Sequence, residues 1–311
     1  MAAMSASREP LTAPCHRSGH RLRRRSLRRP SCRPRRAGRL LVRALSAVVA
    51  LALCLPLAAC GQTDPLGASE VVGPRLAIGV AYDQPSMGYR KGDDYSGLDV
   101  EVARYVANRL GYADWQIVWE NAPEADRDRM LASGEVDMIV GVFVDDSQNV
   151  DDLGFDFAGA YLTERQAVMV RRRGGAPIDS LNALRGRKAC VVRGSRSVEQ
   201  MRRKFGSSVS LIQQPGSTQC ATALLSGMVD AVVAPGAVLA GLHSAGNDDT
   251  TRILSERFGD EGRYGVALPS GSTQLEHRVD LALRRMHRDG TWDRAWNRTL
   301  GAIGYETDRS R

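Results

Sequence analysis

Residues 97–111 read GLDVEVARYVANRLG, and this stretch decides the class of fold. Val102, Val106 and Leu110 fall on one face of a helix, Asp99 stands where a carboxylate can cap free amides, and Gly111 supplies a stop. Working outward, RLAIGVAY at 75–82 alternates as a strand does, and a Pro/Ser/Gly loop carrying Met87 and Tyr89 leads from it to the helix. Downstream, Trp115 to Trp119 reads as a second strand, Arg127 to Ser133 as a short helix ended by Gly134, and Val136 to Val142 as a third strand. This β-α-β-α-β order predicts a parallel sheet with its loops gathered at the carboxyl ends of the strands.

The pattern then repeats. Lys188 to Val192 is a strand, Ser197 to Phe205 a helix, Val209 to Ile212 a strand, Ser217 to Leu225 a helix closed by Gly227, and Val229 to Val233 a strand. Gln166 to Val170 and Tyr264 to Leu268 both read as extended and flank this second unit, as two crossover strands would if the chain left a first lobe and returned to it. Helices from Thr273 to Arg288 and Trp292 to Thr299 then complete the first lobe. The expected division is lobe 1 from 75–168 with 264–304, lobe 2 from 169–263, and a tail at 305–311.

The amino-terminal region reports export. Residues 1–59 hold 13 arginines and a single acid, Glu9, so they carry +12 of a whole-chain net charge of +8 and leave the remainder near −4. The basic balance is therefore no sign of nucleic acid, and no nucleic-acid signature follows downstream. After the arginines comes an apolar stretch from about Ala44 to Leu57, too short at 14 residues for the roughly 20 that a membrane-spanning helix needs. Leu57-Ala58-Ala59-Cys60 then resembles a bacterial lipobox, which implies a signal peptide at 1–59, lipidation of Cys60 and attachment to the outer face of the membrane. Residues 60–74, rich in Gly, Pro, Thr, Asp and Ser, read as a tether.

Of six cysteines, Cys15, Cys32 and Cys54 precede the expected cleavage point and Cys60 is taken by lipid. Cys190 and Cys220 remain. In an oxidising compartment two such cysteines form a disulfide or stay as buried thiols, and pairing is the expected outcome. Neither the cysteines nor the five histidines have metal-ligand spacing, and no cofactor is expected.

The segments GLDVEVARYVANRLG (97–111), LASGEVDMIVG (131–141), FDFAGAY (155–161), LNALRGRKACVVRGSRS (181–197), ALLSGMVDAVV (223–233), YGVALP (264–269) and RRMHRDGTWDRAWNRTLG (284–301), in this order, resemble the polar amino-acid type periplasmic binding proteins of ABC transporters. The likeness covers nearly all of Arg75 to Gly301 and extends to glutamate/glutamine-type lipoproteins of high-GC bacteria, whose cysteine pair resembles Cys190 and Cys220. The resemblance implies an α/β fold of the type II periplasmic binding class, two parallel-sheet lobes joined by two crossover strands. It further implies a monomer that holds a small polar solute between its lobes and delivers it to a permease and ATPase.

An amino acid needs a fixed cation or helix amides for its carboxylate and an anion for its ammonium. Arg193-Gly194-Ser195-Arg196-Ser197, between a strand and a helix amino end, suits the carboxylate, while an ordinary strand-to-helix turn with a serine cap is the bland reading. The resemblance adds Asp83, Met87, Tyr89, Gly141, Val142, Phe143, Ser217 and Thr218 as ligand-facing positions. Two family features are missing. The Thr-x-x-Arg segment after the third strand is replaced by Asp145-Asp146-Ser147-Gln148-Asn149, without an arginine. The aspartate expected after Asp230-Ala231-Val232-Val233 is replaced by Ala234-Pro235-Gly236. Arg165 reads equally as a substitute cation or as a surface residue, and weak binding of glutamate and glutamine is expected. Asp145, Asp146, Asp151, Asp152 and Asp156 form a charge run that reads as a solvated loop or as a lure for a cationic ligand. No Ser/His/Asp set, phosphate loop or nucleophile elbow is evident and the chain ends at Arg311, so no enzyme is expected. The rival reading is a ligand-sensing lipoprotein of the same fold.

Overall fold

Strand β1 (Leu76–Val80) pairs in parallel with β4 (Ile117–Asn121) on one side and β5 (Met138–Asp145) on the other, in a computed structural model that describes residues 73–145, 147–148, 153–174, 177–246 and 249–306. Helix α1 (Leu98–Leu110) covers this sheet through Val102 and Val106, which are buried, and it stops at Gly111 in the left-handed conformation. Helix α2 (Arg127–Ser133) is short because Gly134, also left-handed, ends it after two turns. The second lobe repeats the scheme. Its strand β7 (Lys188–Val192) lies in parallel between β8 (Ser210–Gln214) and β9 (Ala231–Pro235). Helices α3 (Arg196–Phe205), α4 (Ser217–Leu225) and α5 (Gly236–Ala245) alternate with these strands.

Two long strands join the halves. Strands β6 (Asp156–Arg171) and β11 (Phe258–Leu268) are antiparallel to each other; β11 also pairs with β5, and β6 with β9. The sheet order is β4-β1-β5-β11-β6-β9-β7-β8, with β10 (Thr251–Ile253) on β6. Helices α6 (Thr273–Arg288) and α7 (Thr291–Arg298) return to the first lobe, where α6 presents Leu275, Val279, Leu283 and Met286 to the core. This is the expected two-lobed α/β architecture, with crossover strands longer than the stretches read from sequence.

Several local expectations change. Trp115 is not in a strand: it sits in a 3-10 turn, is 79% exposed, and the strand begins at Ile117. The loop carrying Tyr89 is a hairpin, β2 (Tyr89–Lys91) with β3 (Asp94–Ser96), held down by Tyr95 stacked on Trp119 at 5.1 Å. Asp99 caps nothing; it is buried in the core and accepts the Tyr161 hydroxyl at 2.6 Å. Cys190 of β7 and Cys220 of α4 form a disulfide with Cα atoms 5.5 Å apart. No described helix is long and apolar enough to cross a membrane. The signal peptide, Cys60 and the tether's residues before 73 lie outside the described residues, as do Asp146, Asp151 and Asp152.

Candidate functional site

The carboxyl ends of the parallel strands of both lobes face one another across β6 and β11, which puts the loops after β1, β4 and β5 opposite those after β7 and β8. Glycines let the faces meet. A side chain on Gly194, whose φ is +80°, would come within 2.7 Å of the Ala125 Cα in the opposing lobe. One on Gly241 of α5 would overlap the Pro85 carbonyl, and one on Gly216 would overlap the Asp83 carboxylate. Polar contacts follow the same line: the Thr218 amide donates to Asp83 Oδ2 at 3.1 Å, and the Gln84 amide reaches Ser217 Oγ at 3.5 Å.

Two of the cavities among the described residues lie between the lobes. The first, about 300 Å³, is lined by Gly141, Val142 and Phe143 of β5, by Gly194 to Ser197, and by Gln166 and Tyr264 of the crossover strands. The second, about 290 Å³, is lined by Tyr82, Asp83, Gln84, Asn121, Arg193 and Ser217 among others. Glu124 and Arg127 belong to both walls. Either volume suits a small solute rather than a macromolecule.

Arg127 opens α2 on its buried face, with Met130 and Leu131 at helical spacing beside it, and its Nε donates to the Ala122 carbonyl at 3.2 Å. Its charge acts on two neighbouring carboxyls. Burial pushes the Glu124 carboxyl up, with Asp83 adding to the rise and Arg127 opposing it. Burial likewise pushes Asp99 up to about 6, against the Tyr161 hydrogen bond and the Arg127 charge. Asp99 sits directly behind the cavity wall: a side chain on Gly141, at φ +89°, would meet Asp99 Oδ2 at 2.5 Å.

The positions read from sequence separate into groups. Gly141, Val142, Phe143, Gly194, Ser195, Arg196 and Ser197 come together around the first cavity, and Asp83, Arg193 and Ser217 around the second, with Thr218 bonded to Asp83. Met87 is fully buried, because the loop folds back so that the Leu98 and Asp99 amides donate to the Ser86 and Met87 carbonyls. Tyr89 lies on the hairpin and lines neither of these two cavities. Arg165 points elsewhere: it lines a separate recess with Glu164, Arg257 and Tyr305. Ser195 is the N-cap residue of α3, but its side chain makes no cap bond, and the Ser197 hydroxyl is spent on Gln166 Oε1 at 2.7 Å.

Arg196 is committed within the protein. It binds Asp145, which is fully buried rather than part of a solvated loop, with Nε to Oδ2 at 3.0 Å and Nη2 to Oδ1 at 3.1 Å. Gln148, in the segment that lacks the family arginine, is turned back so that its Oε1 accepts the Asp145 amide at 3.3 Å. Sequence reading missed Glu124, Arg127, Gln166 and Tyr264 as wall residues. Only Arg127 carried a local signal, a cation at the apolar spacing of a short helix.

With this cleft in place, comparison with known proteins is decisive: residues 76–302 match the model of the bacterial extracellular solute-binding proteins, family 3. The chain belongs to that family. A glutamate-binding protein GluB of Corynebacterium glutamicum is 31% identical over 258 residues, covering 79% of this chain and 85% of the relative. The ABC transporter glutamine-binding protein GlnH of Bacillus subtilis is 25% identical over 268 residues, covering 82% and 95%. Among solved structures, an ancestral arginine-binding protein bound to glutamine superposes with a TM-score of 0.65 at 26% identity, covering 74% of this chain and 100% of that one. Membership in this family of extracellular solute receptors sets the protein outside the cytoplasm, and these relatives are binding proteins, not enzymes.

Proposed function

We propose that the protein is the lipid-anchored receptor of an ABC importer and captures an amino acid or related small polar solute between its lobes. The observation that carries this reading is the first cavity, built by both lobes around the amino end of α3 and the buried Arg127 guanidinium. A helix amino end and a cation are what a small carboxylate requires. The names of the curated relatives, which bind glutamate and glutamine, support a polar amino-acid-like ligand. The ammonium end has Glu124, Asp128 and, in the second cavity, Asp83 and Asp126 within the walls. The segments 145–149 and 234–236 lack the family clamp, and Arg196 is held by Asp145, so glutamate and glutamine are expected to bind weakly. Anchoring rests on Cys60 after Leu57-Ala58-Ala59; one acyl chain anchors marginally and two anchor stably.

A thermal-shift screen of the protein against amino acids, polyamines and small peptides, followed by calorimetry, tests the reading. At least one solute should raise the melting temperature and bind one to one; a blank screen overturns it, and low-micromolar glutamate binding would show that Arg127 or Arg193 replaces the lost clamp. For the anchor, Cys60→Ser expressed in a lipoprotein-processing bacterium should lose lipid labelling, and retained label refutes the lipobox.

A further inference from the structure

The charges of the chain are unevenly divided. Residues 169–263 hold 14 arginines and lysines against 8 acids, a net +6, so the rest of the chain after residue 59 carries −10. Many of the second lobe's cations gather at the end away from the cleft. Because β6 is antiparallel to β9 and β9 parallel to β7, Arg171, Asp230 and Lys188 form a row across the amino edge of the parallel strands, with neighbouring strands about 4.8 Å apart. Arg173 follows β6 past this row, the loop before β7 adds Arg185 and Arg187, and the last turn of α3 adds Arg202 and Lys204. Phe205 links two of these, with the Arg185 guanidinium and the Lys204 ammonium each 5.9 Å from the centre of its ring. Asp230, the acid within the row, is engaged by Arg171 at 4.0 Å and by the Lys188 amide at 2.9 Å. Two large apolar side chains stand out at the same edge, Leu225 at the end of α4 and Met228 just before β9, 48% and 64% exposed. Arg171 pins the turn that carries them, its Nη1 donating to the Leu224 and Val229 carbonyls, both at 2.6 Å.

We propose that this end of the second lobe is a docking face for an anionic phospholipid surface: its cations meet headgroup phosphates while Leu225 and Met228 reach the acyl boundary. Clustered Lys and Arg are drawn to anionic lipid, and apolar side chains among them add buried area at the interface. The cations are spread over three elements instead of converging on one point, which fits a continuous negative surface rather than a single carboxylate. The negatively charged remainder of the chain is repelled by the same surface, so the charge division orients the molecule as well as holding it. With lipid on Cys60, residues 61–72 span at most about 45 Å, which keeps the face at a high local concentration of headgroups. The face lies at the opposite ends of the strands from the solute cleft.

Residues 65–311 form a compact unit separate from the amino-terminal segment, so this fragment, which lacks Cys60 and the basic leader, is the protein to test. It should sediment with vesicles of phosphatidylglycerol and phosphatidylcholine in equal parts, stay in solution with phosphatidylcholine alone, and be released at about 1 M salt, where charges are screened within about 3 Å. The triple change Arg173→Gln, Lys188→Gln and Arg202→Gln should weaken partition about a hundredfold, about fivefold for each cation lost. Leu225→Ser with Met228→Ser should weaken it about tenfold at unchanged salt. Changing Arg284, Arg285 and Arg288 to Gln, all exposed on α6, alters net charge equally and should cost less than about fivefold. Melting temperatures should match wild type throughout, because every substituted side chain is exposed. Failure to bind the anionic vesicles, or equal losses from the two triple changes, overturns the proposal. Binding to polyglutamate as tight as to vesicles, with no effect of the Leu225 and Met228 changes, also overturns it by assigning the face to an acidic protein. No solute takes part in the assay, so its outcome is independent of the reading of the cleft.

Discussion

Arg196 of α3 grips the Asp145 carboxylate at the end of β5 with two arms of its guanidinium, at 3.0 and 3.1 Å. The two residues belong to opposite lobes, so the pair forms only when the cleft is closed. Gln200 donates to Asp145 Oδ2 at 2.7 Å, Ser147 bonds Oδ1, and Arg203 reaches Ser147 Oγ at 2.9 Å, which makes the pair the centre of a latch.

Asp145→Asn should release this latch. Removing the charge from a fully buried partner leaves Arg196 with Glu199 at 2.5 Å, a fallback that reduces the loss, so closure should weaken by about 1 to 3 kcal/mol. Small-angle scattering of the ligand-free protein should give a larger radius of gyration for the variant. Burial alone would raise the Asp145 carboxyl, but the bonds from Arg196, Ser147 and Gln200 outweigh it and hold it below the usual carboxylate range. The latch is therefore complete above about pH 4 and is lost as pH falls through the lower, folded value. Identical scattering of wild type and variant at neutral pH refutes the role.

Asp99 predicts the opposite slope. With its carboxyl pushed up to about 6, the native state holds a proton between roughly pH 4 and 6 that the unfolded chain has released. Its contribution to stability therefore declines as pH rises through that window and levels off above it, by about 3 kcal/mol in all. Asp99→Asn keeps an oxygen for the Tyr161 hydroxyl and should flatten this component. The change in urea midpoint between about pH 4.5 and about pH 7 should be larger in wild type than in the variant; a shared pH dependence rejects the assignment.

Gly241→Ala separates stability from closure. In the interior of α5 alanine is favoured over glycine by about 1 kcal/mol, yet the added methyl would overlap the Pro85 carbonyl of the other lobe. The melting temperature should hold or rise while solute affinity drops at least about tenfold. Unimpaired affinity would mean that the lobes need not approach this closely.

Reduction tests the Cys190–Cys220 bridge. It closes a loop with a sequence separation of 30, worth about 3.5 kcal/mol in the chain-entropy account, and both ends lie in the second lobe. A reduced or doubly substituted protein should melt earlier with its scattering profile unchanged. Two free thiols in the mass of the unreduced protein would exclude the bridge.

What was legible in the sequence is what depends on neighbours along the chain. The apolar period of GLDVEVARYVANRLG, the left-handed glycine stops at Gly111 and Gly134, and the bounds of α4 and α6, each followed one residue past its cap by a left-handed glycine, Gly227 or Gly290, all follow from neighbours along the chain. The strand-to-helix junction at Gly194 to Ser197 was legible for the same reason. Helix α5 was not, because Gly236 to Leu242 is buried all round and shows no polar face to set a period. The three-residue strands of the hairpin likewise carry too few residues for alternation, and it is Tyr95 on Trp119 that holds them.

Tertiary structure decided the fate of the charges and amides. Composition made Asp145 one acid in a run and Arg196 one cation in a turn; 51 residues apart, they become a partly buried pair because lobe closure removes much of the water that would otherwise screen them. Gln166 follows the same logic through Ser197 of the second lobe, while Asp99 takes its hydrogen bond from Tyr161 of its own lobe, 62 residues away. Local sequence specifies which face of an element is apolar, but the partner of a buried polar group is chosen by what distant parts of the chain bring against it, and that depends on the whole path of the chain through β6 and β11.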